Sequence, residues 1–341
     1  MKVQSVLAMF ALVVSSPNVA AEYQAGFDIE SFHDDARDRP VQIDWWYPSS
    51  DTEAVDFNYG LGRGRIVPQG GIAAGEFPLV LLSHGALGSA RNYSWLAESL
   101  ARNGYLVAGI SHFGESYVYG EDTVDPMEVL RSWSRPLDIS AALTYIGKES
   151  RFQNSVANTR TSFVGHSSGG ATAMYLAGAK YDAESMARYC RSEESDEDLG
   201  CDYAKDTEIT FVPPPGPYAE RRIQNFIAID PALGPGFTDF SGVDSGNRFL
   251  VIASRDNDFL PFDHHAGRLI AKLPNAVGHV LDQGEGHFIY LNPCENDIIA
   301  NDLTANGVPL CRDRPGVNRI EVQKELSHLI THFLRLHLDS D

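Results

Sequence analysis

The chain has 341 residues, 43% hydrophobic and 21% charged, enough for one large domain with a sizeable core. Acidic residues outnumber basic ones 46 to 27, a formal net charge of −19. A surface so acidic repels phosphate backbones and anionic lipid, which argues against nucleic acid as a partner and against electrostatic docking on membranes.

The first residues, MKVQSVLAMFALVVSSPNVAAEY, carry one lysine, an apolar run from Val6 to Val14 and a polar break before Val-Ala-Ala. This is the pattern of a secretory signal cleaved near Ala21. Its apolar part is too short to span a bilayer and no stop-transfer segment follows, so the expectation is a periplasmic or secreted protein with a single domain over residues 22–341.

From about residue 40, short β-rich runs alternate with helical segments, which predicts an α/β domain with a mostly parallel central sheet flanked by helices. Strands are expected at 41–48, 77–85, 105–114, 159–167, 223–230, 248–254 and 276–282. Helices are expected at 91–104, ending on Gly104, and from Asp125-Pro126 to about residue 150, divided by Pro136. Two more are expected at 168–180 and from Ile320 to Leu336, the last with one apolar face.

Residues 181–222 break the rhythm: they are acidic, contain two cysteines and end in FVPPPGPY. They read as an insertion over the C-terminal edge of the sheet, a lid-like segment, with a solvated excursion as the alternative. Four cysteines suit an oxidising compartment, and pairing by neighbours joins Cys190 to Cys201 and Cys294 to Cys311, one of three possible connectivities. Neither pair has the Cys-x-x-Cys spacing that structural zinc favours.

Gly165-His166-Ser167-Ser168-Gly169 fits G-x-S-x-G between a strand and a small-residue helix. There a serine sits on a strained turn that leaves no room for side chains two positions away, making Ser167 a candidate nucleophile. Ser167 needs donors for an oxyanion, and the glycine turn SHGALGS supplies a candidate in the Ala86 amide, partnered by the Ser168 amide. It also needs a base, and GEGHF after the 276–282 strand presents His287 on a glycine-rich loop. The orienting acid lies between them in the chain: Asp230 ends one strand, and Asp256 and Asp258 follow the next.

Together WWYP, PLVLLSHGALGS, RPLDISAAL, VGHSSGGAT, AIDPALGPGF, DNDFLPF and GHFIYLNPC resemble the α/β-hydrolase superfamily. More narrowly, the chain resembles the bacterial dienelactone-hydrolase-like group related to platelet-activating-factor acetylhydrolases. In many relatives the acid follows the penultimate strand, where this chain puts Asn257 between two aspartates. The acetylhydrolase branch places it one strand earlier, at Asp230. Asp230 is therefore the favoured acid, with Asp256 or Asp258 as the alternative.

The resemblance implies a serine esterase acting on short-chain acyl, lipid-derived or lactone esters through an acyl-enzyme, without metal or organic cofactor. Phe113, Tyr117, Tyr119, Trp133 and Phe288 are candidates to line an apolar acyl pocket, with plain core packing as the alternative. A peptidase or amidase on the same triad, and a non-catalytic hydrolase-like binding protein, are the competing functions.

Overall fold

Short runs such as LVLL in Leu79–Ser83 and FLVIA in Arg248–Ser254 are apolar at every position, the composition of strands covered on both faces. The structure, a computed structural model, describes residues 23–159, 161–205, 212–214, 216–294 and 303–338, so the expected signal peptide lies outside the described residues. In chain order the strands of the main sheet are β1 (Gln24–Asp34), β2 (Arg39–Ser49), β3 (Val55–Asn58), β4 (Arg63–Pro68) and β5 (Leu79–Ser83). They continue with β6 (Leu106–Ser111), β7 (Thr161–His166), β8 (Ile223–Ile229), β9 (Arg248–Ser254) and β10 (Ala276–Leu281). The spatial order is β10-β9-β8-β7-β5-β6-β2-β1-β4-β3. From β10 to β6 all neighbours are parallel, while β2 joins β6 and β1 antiparallel.

Helices α1 (Ser94–Arg102), α2 (Ser134–Ile146), α3 (Ser168–Ala177), α4 (Ala183–Cys190), α5 (Ala266–Lys272) and α6 (Arg319–Leu338) complete the layers. Alternation along the strands divides the apolar residues between two cores. Leu81, Ala108, Phe163, Phe226 and Val251 face α2, α3 and α5, whereas Val80, Val107, Val164, Ile227 and Ile252 face α1 and α6. Trp45 and Trp46, adjacent on β2, point one into each core.

Three strands lie beyond the expected pattern. β1 alternates buried and exposed positions through polar residues, and β3 and β4 are short and charged, so none shows an apolar run. The helix expected from residue 125 is in fact two pieces: a 3-10 turn at Pro126–Leu130, then α2 from Ser134. Pro136 breaks nothing, because it lies in the first turn of α2, where a backbone N–H has no intrahelical acceptor.

Helix α3 is buried along its whole length, which its small residues permit. A Cβ on Gly165 would collide with the Gly169 backbone, and one on Gly169 with the Ser83 carbonyl. Gly165→Ala should therefore cost about 1–3 kcal/mol by overpacking. Gly216→Ala, which meets nothing within 4 Å, should leave thermal unfolding unchanged, and melting both variants by circular dichroism checks the pair.

Candidate functional site

Between β7 and α3 the chain turns sharply, with Ser167 at φ 56° and ψ −114°, left-handed backbone that a non-glycine residue adopts at a cost of order 1–3 kcal/mol. Neighbouring strand ends hold the strain. The Ser167 amide donates to the Ile229 carbonyl at 2.9 Å, and the Ser167 carbonyl accepts from the Ala232 amide at 3.0 Å. At the N-terminus of α3 the Ser168 amide belongs to the free donors of the first turn, which also carries the positive end of the helix dipole.

His287 opens a 3-10 turn after β10 and is buried. Its Nδ1 lies 3.7 Å from Oδ2 of Asp230, an oxygen that is itself buried without a hydrogen-bond partner. Asp230 ends β8 at φ 37°, and its other oxygen accepts the Ser254 amide at 2.9 Å. Burial pushes the Asp230 carboxyl up to about 7 and the His287 imidazole down to about 3.

The rival aspartates do other work. Asp258 accepts the backbone amide of His287 at 2.9 Å and pairs with Arg314 at 3.3 Å, while the carbonyl of exposed Asp256 accepts from Arg314. Asn257 Oδ1 accepts from the Phe259 and Leu260 amides, and its Nδ2 lies 3.3 Å from His287 Nδ1.

Ser167, Ser168 and Ala86 line one side of a cavity of about 250 Å³. The insertion supplies much of the opposite wall, through Met186, Ala187, Cys190, Arg191, Gly200 and Tyr203. Cys190 is joined to Cys201 and Cys294 to Cys311, the neighbour pairing expected from the sequence. Within the first loop, Asp198 bonds His265 at 2.7 Å and Leu199 donates to the Phe259 carbonyl at 3.0 Å. The second loop adds Asn306, which donates to the Leu199 carbonyl at 2.9 Å.

The aromatic residues expected to line a pocket pack elsewhere. Phe113 lies beneath the Arg39 guanidinium and edge-on to Tyr119, and Trp133 packs on the α2–α3 core. The Tyr117 hydroxyl accepts from Ser89, and the Tyr119 hydroxyl is shared between Gln42 and Ser111. Phe288 packs edge-on to His287 and Phe259. The cavity takes its aromatics instead from Phe259, Tyr181 and Tyr203, two of them in a segment whose acidity masked them in the sequence.

Among solved structures, the ferulic acid esterase from Streptomyces cinnamoneus matches with a TM-score of 0.58 at 18% identity, over 95% of this chain and 92% of that one. The chain has the α/β-hydrolase fold. Residues 69–134 also match the family described as platelet-activating factor acetylhydrolase, isoform II, a stretch that includes Ala86 and stops before Ser167. No curated protein matches the whole chain by sequence.

The loop carrying Ala86 rests on a buried ion pair that the sequence did not announce. Arg135 on α2 donates to both oxygens of Glu115, at 2.7 and 2.6 Å, and to the His84 and Gly85 carbonyls at 2.6 and 3.3 Å. Burial alone would raise the Glu115 carboxyl, but the Arg135 charge outweighs it and the net shift is downward.

A second Ser-His-Asp arrangement lies below. Ser83 Oγ and Asp138 Oδ2 each sit 2.8 Å from a nitrogen of His112, and Arg37 and Arg39 bind Asp138. Despite its complete hydrogen bonding, this group is sealed, with Ser83 and Asp138 1% exposed and His112 fully buried. None of its members lines the cavity. Hydrogen-bond geometry without access to a reactant describes a packed polar core.

Removing one partner of a buried pair strands the other, so Arg135→Leu should destabilise the fold by roughly 3–5 kcal/mol. The double variant Arg135→Leu/Glu115→Leu should recover part of that loss, and a double-mutant cycle from urea melts measures the coupling.

Proposed function

We propose that the chain is an exported serine hydrolase of carboxylic esters, with Ser167 as nucleophile, His287 as base and Asp230 as the acid. The observation that carries this reading is the strained Ser167 turn, opening beside the Ala86 and Ser168 amides onto a largely apolar cavity. The likeness in fold to a ferulic acid esterase, the match to an acetylhydrolase family, and disulfides suited to an oxidising compartment support it.

Ser167 Oγ attacks the ester carbonyl as His287 Nε2 takes its proton, and the Ala86 and Ser168 amides receive the oxyanion. The tetrahedral intermediate collapses as His287 returns that proton to the leaving alcohol. Water, deprotonated by His287, then attacks the acyl-enzyme, and the second tetrahedral intermediate releases the carboxylic acid as His287 returns the proton to Ser167 Oγ. Throughout, Asp230 holds the Nδ1–H tautomer and balances the imidazolium that forms. The insertion, residues 181–222, serves as the lid over the acyl group, and its apolar wall favours apolar acyl chains.

A fluorophosphonate probe should label Ser167, and p-nitrophenyl acetate and butyrate should be hydrolysed. Absence of both in folded protein overturns the reading. Removing the oxyanion support at either amide should cost ~100–1,000-fold in rate.

The Asp230 shift gives a pH expectation. Catalysis needs neutral His287 and ionised Asp230; burial lowers the first pKa and raises the second, so both set an acidic limit and ionisation of Asp230 is reached last. The kcat/KM should rise with pH through an apparent midpoint near 7 that belongs to the pair. Asp230→Asn should lower kcat by up to about 10,000-fold, whereas Asp256→Asn and Asp258→Asn should retain most of it. The opposite ranking in steady-state kinetics moves the acid to the following strand end.

A further inference from the structure

His166 precedes the nucleophile and is buried, yet the reaction described above gives it no part. Its Nε2 lies 3.0 Å from the His287 carbonyl oxygen, its Nδ1 lies 2.8 Å from the Tyr93 hydroxyl, and that hydroxyl lies 3.0 Å from the Gly85 amide nitrogen. We propose that Tyr93 and His166 are positioning residues that lock together the oxyanion loop, the nucleophile turn and the base-bearing loop through this one chain of hydrogen bonds. The proposal deepens the ester-hydrolase reading and, for its kinetic part, rests on it.

Donor and acceptor rules fix every direction in the chain. A carbonyl only accepts, so His166 carries its proton on Nε2. Burial keeps this imidazole neutral at ordinary pH, lowering its pKa well below the usual histidine value, so Nδ1 is bare and accepts. Tyr93, whose pKa burial raises, stays protonated and donates to it. The Tyr93 oxygen is then left to receive the Gly85 N–H.

With both nitrogens committed, His166 cannot also serve as the base. Each link ends within one residue of a reacting group: Gly85 precedes Ala86, His166 precedes Ser167, and the last acceptor belongs to His287 itself. The junction is tight, since a Cβ on Gly85 would lie 3.2 Å from the Tyr93 hydroxyl, 3.3 Å from His166 Nδ1 and 3.4 Å from the Ser167 Cβ. Other groups near His166 are the Tyr290 ring at 5.2 Å, the His287 ring at 4.6 Å and the Asp230 carboxyl, and none of them hydrogen-bonds either of its nitrogens.

Two measurements test it. In wild-type protein, nitrogen-15 NMR of the histidine rings should show His166 as the neutral Nε2–H tautomer at pH 7; an Nδ1–H tautomer or an imidazolium overturns the proposal whether or not the protein is an esterase. For kinetics, Tyr93→Phe, His166→Phe and the double variant are compared per active site, counted by fluorophosphonate titration so that unfolded protein does not contribute. Each single variant should lower kcat by roughly 10–100-fold with KM within about twofold, as loss of alignment does. The double variant should fall no further than the worse single one, since one chain is broken either way. Titrated Tyr93→Phe with wild-type kcat overturns the proposal. A wild-type protein that neither labels nor hydrolyses esters refutes the ester-hydrolase reading instead, and the tautomer then decides the bonding chain alone.

Discussion

The turn from β7 into α3 is the constraint on which the site depends. It works only because two glycines let backbone meet backbone: Gly165 touches Gly169, and Gly169 touches the end of β5 at Ser83. That closeness brings the loop carrying Ala86, which leaves β5 at the same point, alongside Ser167. It also forces Ser167 into left-handed backbone, and the Ile229 carbonyl at the end of β8 and the Ala232 amide just beyond it hold it there. A bulkier pair of residues would move the helix and the loop apart together.

Around this turn the protein keeps its polar groups in two different conditions. Arg135, Glu115, Asp138 and Arg39 are charged, buried or half-buried, and paired in ion pairs with short N–O distances. Asp230 is buried with one oxygen unmatched, 3.7 Å from an imidazole that burial keeps neutral. The first condition makes a rigid support, and the second stores an unmet interaction that an imidazolium would satisfy. The Ser83-His112-Asp138 group shows how little triad-like hydrogen bonding says by itself: it has the better geometry and no way in for a reactant.

Much of this was legible in the sequence because local physics wrote it there. The central parallel strands hold apolar runs such as LVLL and FLVIA, and the turn at Ser167 is marked by glycines whose absence of side chains is a steric requirement. Neighbour pairing of the cysteines also gave the bridges found in the fold. What was not legible depends on contacts between distant segments. β1 pairs with β2 over its whole length, but its polar alternation resembles a loop. The cavity aromatics were misplaced because Tyr181 and Tyr203 lie in an acidic insertion, while Phe113, just after a strand, packs under Arg39, and Trp133, at the start of α2, turns into the core. Arg135 acts on residues some fifty positions away, which no spacing rule reports.

The division of labour in the cavity has an evolutionary corollary. Its floor comes from strand ends and a helix that tolerate almost no change of volume. Much of the rest of its lining comes from a disulfide-closed insertion, braced by a second such loop, and no described residue of either belongs to the central sheet. Changes to that lining can therefore accumulate without unsettling the floor. A lineage built this way can reshape the cavity by rewriting residues of the insertion, while inheriting the strand-end floor intact.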